Sequence, residues 1–162
     1  MGTKGAELVN LDLDKLFEKL NKALADEWLA YYQYWVGAKV AEGRMRGFVA
    51  EELNEHAQEE LEHANMLVER ITQLGGTPIL NPSEWMDKTN CGYEEPSDFN
   101  TKKLLQQNIK GEQCAIKVYK ELLEFVRGKD DITFRMLLEI LEDEVEHEDE
   151  LENILADMVP VK

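Results

Sequence analysis

The sequence predicts an all-α protein, built as an antiparallel four-helix bundle with one long crossover between the second and third helices. Four segments of about 28 residues each carry apolar residues at the spacing of a helix that buries one face. Strong interruptions separate these segments around Gly43 and Gly47, from Gly75 to Asn100, and at residues 128–130. At 162 residues, the chain suits a single domain over residues 1–162.

The first two helices are expected from about Leu11 to Val40 and from about Arg46 to Leu74. A short connection joins them, so they form an antiparallel hairpin. The apolar stripe of the first helix consists of Leu13, Leu16, Phe17, Leu20, Leu24, Trp28, Tyr31, Trp35 and Ala38, and that of the second of Val49, Leu53, Leu67, Ile71 and Leu74.

The crossover between the two hairpins must carry the chain along the length of the bundle. Within it, Asn81 is followed by Pro82 and Glu84, an order typical of a helix start. We therefore expect a short extra helix from about Pro82 to Lys88. Loops of this length in compact domains are often functional.

The last two helices are expected from about Thr101 to Arg127 and from about Asp131 to Met158, and they form a second hairpin. Pro160 follows the last helix, at a position where proline often marks a helix end. The apolar stripe of the third helix consists of Leu105, Ile109, Ile116, Tyr119, Leu123 and Val126, and that of the fourth of Phe134, Leu137, Leu138, Leu141, Val145, Leu151 and Leu155.

The composition limits the classes of function. Asp and Glu outnumber Lys and Arg by 34 to 18, which gives a net charge of −16. This charge opposes binding to nucleic acid and favours cations as partners. The sequence contains neither an apolar run long enough for a membrane span nor a signal-peptide pattern. Two cysteines are too few for a disulfide framework, so we expect a cytoplasmic protein.

The first hairpin places acidic and imidazole side chains on its buried faces. Glu27 lies on the apolar stripe between Leu24 and Tyr31, near the middle of the first helix. Glu60 and His63 form a Glu-x-x-His motif near the middle of the second helix. Such a motif alone is usually a solvated pair, and a lone glutamate on a stripe is often a boundary residue.

The second hairpin repeats this arrangement at the same height. Glu112 lies between Ile109 and Ile116 on the third helix, and Glu144 with His147 forms a second Glu-x-x-His motif on the fourth. Four buried carboxylates would repel one another, and each burial costs several kcal/mol. Two divalent cations would neutralise four carboxylates. The set supplies one terminal glutamate and one histidine to each metal, with two glutamates bridging, as in ferritin-like bundles with two iron or manganese ions.

The sequence resembles the bacterioferritin branch of the ferritin superfamily, in particular the Dps-like group called thioferritins. The resemblance covers nearly the whole chain and rests on the segments ADEWLAYYQYW, EELEHANML, KGEQCA and EDEVEHEDELE. It implies a ferritin-like four-helix bundle with two iron ions per subunit. Glu27 and His63 would bind one iron, Glu112 and His147 the other, and Glu60 and Glu144 would bridge them.

The resemblance also implies a function. Fe(II) would be oxidised by hydrogen peroxide or dioxygen, and Fe(III) would pass to a mineral inside a protein shell, which protects against oxidative stress. Oxygen and nitrogen ligands suit iron, manganese or zinc, so iron is favoured by the resemblance alone. The alternatives are a rubrerythrin-like peroxidase without a storage role, and an acidic helical module that binds a partner protein and no metal.

Three further positions bear on the site. Tyr34 lies two turns after Glu27 on the same face, where bacterioferritins have a tyrosine near the metals, and either a structural or a redox role fits. His56 shares a face with His63. It could bind an extra metal, but a hydrogen bond to a bridging carboxylate, or partial exposure, is the preferred expectation. Leu61 stands where haem-binding relatives have methionine, so no haem is expected.

Cys91 lies in the crossover and Cys114 lies two residues after Glu112. One interpretation is a pair of reduced thiols without a role. The other follows from the thioferritin resemblance, since that group has a cysteine pair near the metals. A disulfide would then relay electrons or lock the crossover.

The expected assembly is a dodecamer of 23 symmetry. The extra helix lies in the crossover, as in twelve-subunit Dps shells, and residues 159–162 leave no room for the fifth helix of 24-subunit ferritins. Dps proteins build their metal sites between subunits, whereas all ligands here belong to one bundle. The N-terminal segment lacks the basic tail that some Dps proteins use on DNA, so no DNA binding is expected.

Overall fold

The computed structural model describes residues 2–158 and confirms the all-α four-helix bundle with its long crossover. Over these residues the helices are α1 (Thr3–Ala6), α2 (Leu13–Val40), α3 (Arg46–Gln73), α4 (Trp85–Lys88), α5 (Thr101–Val126) and α6 (Asp131–Asp157). The four long helices form the bundle, with α2 packed on α3 and α5 packed on α6. The single turn α1 was not predicted. Across the described residues, no helix combines the length and apolar character that a membrane crossing requires.

Side-chain caps set the starts of three long helices. Asp12 accepts a hydrogen bond from the backbone N–H of Lys15 at 3.2 Å, so α2 begins at Leu13, two residues later than predicted. Asn100 and Asp130 cap α5 and α6 in the same way. Leu74, Arg127 and Met158, predicted as last helical residues, are the C-caps of α3, α5 and α6. Pro160 lies outside the described residues.

The apolar core falls into two clusters separated by a polar layer. One cluster includes Leu20, Ile71, Leu123 and Leu137, and the other includes Leu53, Leu105 and Leu151. On each long helix, a buried glutamate lies between the residues of the two clusters. The interior of the bundle is therefore apolar towards both ends and acidic at its centre.

Three residues assigned to the buried stripes are exposed, and that part of the prediction was wrong. Trp35, Leu138 and Val145 are 39 %, 38 % and 48 % exposed. Successive helical residues point about 100° apart, and Leu137 and Glu144 already occupy the buried face next to Leu138 and Val145. Apolar residues directly beside a buried position therefore turn outward.

The crossover is held against α2 along its length. Asn21 donates to the carbonyl of Thr77 and accepts from the N–H of Ile79. The predicted extra helix is a 3-10 turn over Pro82–Glu84, capped by Asn81, that continues into α4. Trp85 of α4 stacks on Trp28 with ring centroids 5.2 Å apart and ring planes 4° from parallel.

A buried carboxylate fixes the second half of the crossover. Asp26 of α2 accepts hydrogen bonds from the backbone N–H groups of Asn90 at 2.7 Å and Cys91 at 2.9 Å, and from the side chains of Thr89 and Asn90. This places Cys91 beside α5, where it forms a disulfide with Cys114. The crossover is thus tied to both hairpins next to Glu27 and Glu112.

Candidate metal centre

The structure brings together all six predicted ligands in two overlapping groups. Each group has ligand atoms that all lie within 4.8 Å of one another. Glu60 and Glu144 belong to both groups, as bridging ligands would. The first group consists of Glu27, Glu60, His63 and Glu144, and the second of Glu60, Glu112, Glu144 and His147, and all six side chains are buried.

Both histidines point their Nδ1 atoms into the cluster and their Nε2 atoms away from it. His63 Nδ1 lies 3.3 Å from Glu60 Oε2 and 3.4 Å from Glu144 Oε1. On the far side, Nε2 of His63 lies 3.1 Å from Asp143 Oδ2, and Nε2 of His147 lies 2.7 Å from Glu59 Oε2. A carboxylate that accepts the Nε2 proton leaves the Nδ1 lone pair free for a metal.

The sequence did not identify these two carboxylates as site residues. Neither Glu59 nor Asp143 was singled out. Their positions are related, since Glu59 precedes Glu60 and Asp143 precedes Glu144. The repeat of the two hairpins was therefore an available signal.

Two tyrosines hold the terminal glutamates across the bundle. The Tyr34 hydroxyl donates to Glu112 Oε1, and the Tyr119 hydroxyl donates to Glu27 Oε1. Tyr119 was predicted only as a core residue. It lies as far after Glu112 as Tyr34 lies after Glu27, so the same repeat would have found it.

The cluster has buried polar atoms without a hydrogen-bond partner in the described structure: Glu27 Oε2, Glu60 Oε1, Glu112 Oε2, both oxygens of Glu144, and His147 Nδ1. Buried polar atoms are nearly always paired, so this concentration calls for a ligand. Carboxylate oxygens and neutral imidazole nitrogen are donors for divalent iron, manganese or zinc. The residues therefore fit two such ions.

Burial and charge repulsion together shift the pKa values of the metal-free cluster strongly. Burial, and next the charge of Glu60, raises the pKa of Glu144 to about 8. Burial and neighbouring carboxylates raise the pKa of Glu27 and Glu112 well above the usual range. Burial lowers the pKa of His147, but hydrogen bonding and the charge of Glu60 outweigh it and raise the value to about 9. Without cations, the cluster retains protons.

His56 is placed differently from the preferred expectation. It is 2 % exposed, and its Nε2 lies 3.0 Å from Glu150 Oε2 instead of near a bridging carboxylate. Its ring stacks on His147 with centroids 4.1 Å apart. Burial is the main cause that lowers the pKa of His56 to about 4. His56 lies one turn before Glu60, so its ring reaches the gap between α3 and α6, where Glu150 lies.

His56 also belongs to two smaller groups with metal-ligand geometry, one with Glu59 and His147 and one with Glu52 and Glu150. An extra metal at His56 therefore stays a prediction. Leu61 is a half-buried aliphatic residue of α3, and the expectation of no haem also stays a prediction.

A cavity of about 120 Å³ connects the cluster with the surface between α2, α5 and the crossover. All four glutamates of the cluster line its inner end, and Tyr34 lies beside them. Its outer part is lined by Gln33, Cys91, Gly92, Glu94, Gln107, Asn108 and Lys110. The disulfide therefore lies beside the same cavity that reaches the carboxylates.

A four-helix bundle with a central carboxylate–histidine cluster of this kind is the arrangement of ferritin-like proteins. The ferritin-like domain family matches residues 17–159, and the chain belongs to this family. It is 37 % identical over 155 residues to the DNA protection during starvation protein of Pyrococcus furiosus, covering 93 % of this chain and 82 % of the relative. It is 32 % identical over 143 residues to a bacterioferritin of Rhodobacter capsulatus, covering 88 % and 83 % of the two chains.

Among solved structures, the chain is similar to a dodecameric thioferritin, the bacterioferritin-related protein from Bacteroides fragilis. The two share 43 % identity with a TM-score of 0.94, and the match covers 97 % of this chain and 95 % of the other. The resemblance inferred from the sequence is thereby confirmed.

The raised pKa values predict that the metal-free protein loses stability as the pH rises. The folded cluster holds protons that the unfolded chain releases near the ordinary values of 4.5 for Glu144 and 6.5 for His147. Stability should therefore fall between about pH 5 and pH 9. Urea unfolding of the metal-free protein at fixed ionic strength measures this dependence, and Glu144→Gln should weaken it. Constant or increasing stability across this range would contradict the assignment.

Proposed function

We propose that this protein is a ferroxidase that oxidises Fe(II) to Fe(III) and stores the ferric product in a hollow shell. The observation that carries the proposal is the set of unpartnered, buried carboxylate oxygens at the inner end of a solvent-connected cavity, with the unpartnered Nδ1 atom of His147 in the same cluster. A helical module that only binds a partner protein would not require unpartnered polar atoms in its interior. The proposed role is to detoxify iron and oxidant together, and so to protect against oxidative stress.

The proposed roles of the six residues follow from the two overlapping groups. Glu27 and His63 bind one Fe(II), and Glu112 and His147 bind the other. Glu60 and Glu144 belong to both groups, so they bridge the two ions. Tyr34 and Tyr119 each occupy one oxygen of a terminal glutamate, which leaves the other oxygen for iron.

The oxidant is hydrogen peroxide or dioxygen. A peroxide molecule accepts two electrons, one from each Fe(II), and two protons, which gives two molecules of water and two Fe(III). Two adjacent Fe(II) ions thus avoid a one-electron reduction of peroxide to a radical. Glu144 and His147 hold protons in the metal-free cluster, and divalent ions that bind there displace them.

Iron is proposed over manganese and zinc because of the family, since the ligand types suit all three. The chain is related to bacterioferritins and to a thioferritin. The relative from P. furiosus is named for DNA protection. Removal of Fe(II) and peroxide would protect DNA without contact, and the net charge of −16 opposes contact.

The proposed assembly is a dodecamer of 23 symmetry, and the similar thioferritin is described as dodecameric. Sedimentation velocity of the purified protein tests this. A particle of about twelve subunits is expected, since storage needs an enclosed volume. A dimer would instead favour the alternative, a rubrerythrin-like peroxidase without a store.

Replacement of a bridging carboxylate should abolish rapid Fe(II) oxidation. Glu60→Ala removes a ligand of both ions, so single-turnover oxidation by peroxide, followed by ferric absorbance, should fall by at least about a hundredfold, an effect as large as loss of a donor group in other active sites. Glu62→Ala is the matched control, because Glu62 is exposed on the same helix. Both variants should assemble normally. A normal rate in Glu60→Ala would contradict the bridging role.

The disulfide is proposed as both a tether of the crossover and a redox pair beside the cavity. In the cytoplasm, where we propose that the protein acts, disulfides are usually transient and redox-active. Replacing both Cys91 and Cys114 with serine opens a loop with a sequence separation of 23 and should lower the unfolding free energy by roughly 3 kcal/mol. A redox role further predicts a changed rate of multiple-turnover Fe(II) oxidation. An unchanged rate at reduced stability would leave only the tether.

A further inference from the structure

Amide side chains form a bridge over the outer part of the cavity. Gln33 Nε2 of α2 donates to Asn108 Oδ1 of α5 at 3.1 Å. Gln33 Oε1 accepts from the backbone N–H of Glu94 in the crossover at 3.4 Å. Asn108 is buried, whereas Gln33 is half-buried, so Gln33 lies at the mouth. The bridge joins the three segments between which the cavity opens.

A glycine widens the passage beneath this bridge. Gly111 lies in the interior of α5, where glycine is unfavourable, and it lines the cavity next to Glu112. A Cβ built on Gly111 would have only Gln33 Nε2 within 4 Å, at 3.9 Å. The space beside Gly111 is therefore open, and a larger side chain would fill the passage between Gln33 and the carboxylates.

The charges at the two faces of the cluster differ. On the α3–α6 face, the side chains of Asp143 and Glu59 that contact the histidines are 46 % and 50 % exposed, and Glu150 nearby is 43 % exposed. This acidic face attracts cations. At the cavity mouth, exposed Lys110 offsets exposed Glu94. The carboxylate of Asp26 also lines the cavity, but it is buried and hydrogen-bonded to the crossover. The other polar side chains of the outer part are neutral amides. The mouth therefore offers hydrogen bonds without a field that selects cations.

We propose that the cavity beneath the Gln33–Asn108 bridge is the access route for a small neutral oxidant, hydrogen peroxide or dioxygen, and that Gly111 sets its width. The inference rests on the proposed ferroxidase function and adds a route to it. The oxidant approaches between α2 and α5, where the unpartnered carboxylate oxygens line the cavity. The histidines do not line it. A volume of about 120 Å³ exceeds several-fold the roughly 30 Å³ that one water occupies in the liquid.

The test uses the assembled protein and its Gly111→Val, Gln33→Ala and Gly47→Val variants. Gly47 is the matched control, because it is a helical glycine away from the cavity with nothing within 4 Å of an added Cβ. Co(II) titration first measures whether each variant keeps the wild-type stoichiometry. Each protein is then loaded anaerobically with Fe(II) and mixed with nitric oxide, a neutral diatomic analogue of dioxygen, or with hydrogen peroxide. Stopped-flow absorbance follows nitrosyl formation and oxidation separately.

Gly111→Val should slow access about tenfold, equivalent to about 1.4 kcal/mol added to the barrier, and Gln33→Ala should accelerate it. Slowing with peroxide alone assigns the route to hydrogen peroxide, and slowing with nitric oxide alone assigns it to dioxygen. Wild-type rates in Gly111→Val with normal Co(II) binding would overturn the route and leave the ferroxidase proposal intact. Wild-type protein that binds no Co(II) would overturn both. If Gly111→Val loses Co(II) binding, an unchanged rate in Gln33→Ala overturns the route.

Discussion

The main constraint on this structure is the repulsion among four carboxylates that are buried at the centre of an apolar bundle. Glu27, Glu60, Glu112 and Glu144 are each at most 3 % exposed, and an isolated buried charge costs several kcal/mol. Two histidines relieve part of the repulsion, but they leave six ligand atoms without partners. Two divalent cations would neutralise four carboxylates and use these atoms. Folding, metal binding and proton release are therefore coupled in one cluster.

The repeat of two hairpins explains how the chain builds such a centre. Each hairpin supplies one terminal glutamate, one Glu-x-x-His pair, one tyrosine that reaches across to the other hairpin, and one carboxylate that holds a histidine. The crossover between them breaks the symmetry. Through Asp26 and the disulfide it covers the α2–α5 side, so that one face of the cluster has a cavity and the other has exposed acids.

Helical periodicity was enough to predict the bundle, its crossover and the heights of the six residues, because long amphipathic helices leave few other ways to bury their stripes. Contacts between helices were harder to predict. Glu59 and Asp143 look like ordinary solvated acids, and their role depends on how α3 and α6 face each other. His56 pairs with Glu150, far away in sequence. The Cys91–Cys114 pairing depends on the path of the crossover, which spacing along the chain does not determine.

The central claim is that paired cations neutralise the buried carboxylates. Anomalous diffraction at the iron edge, from crystals loaded anaerobically with a ferrous salt, tests it most directly. The account predicts two peaks per chain, one beside Glu27 and His63 and one beside Glu112 and His147, with Glu60 and Glu144 contacting both. Crystals in which these side chains keep their positions but show no anomalous peak among them would contradict it.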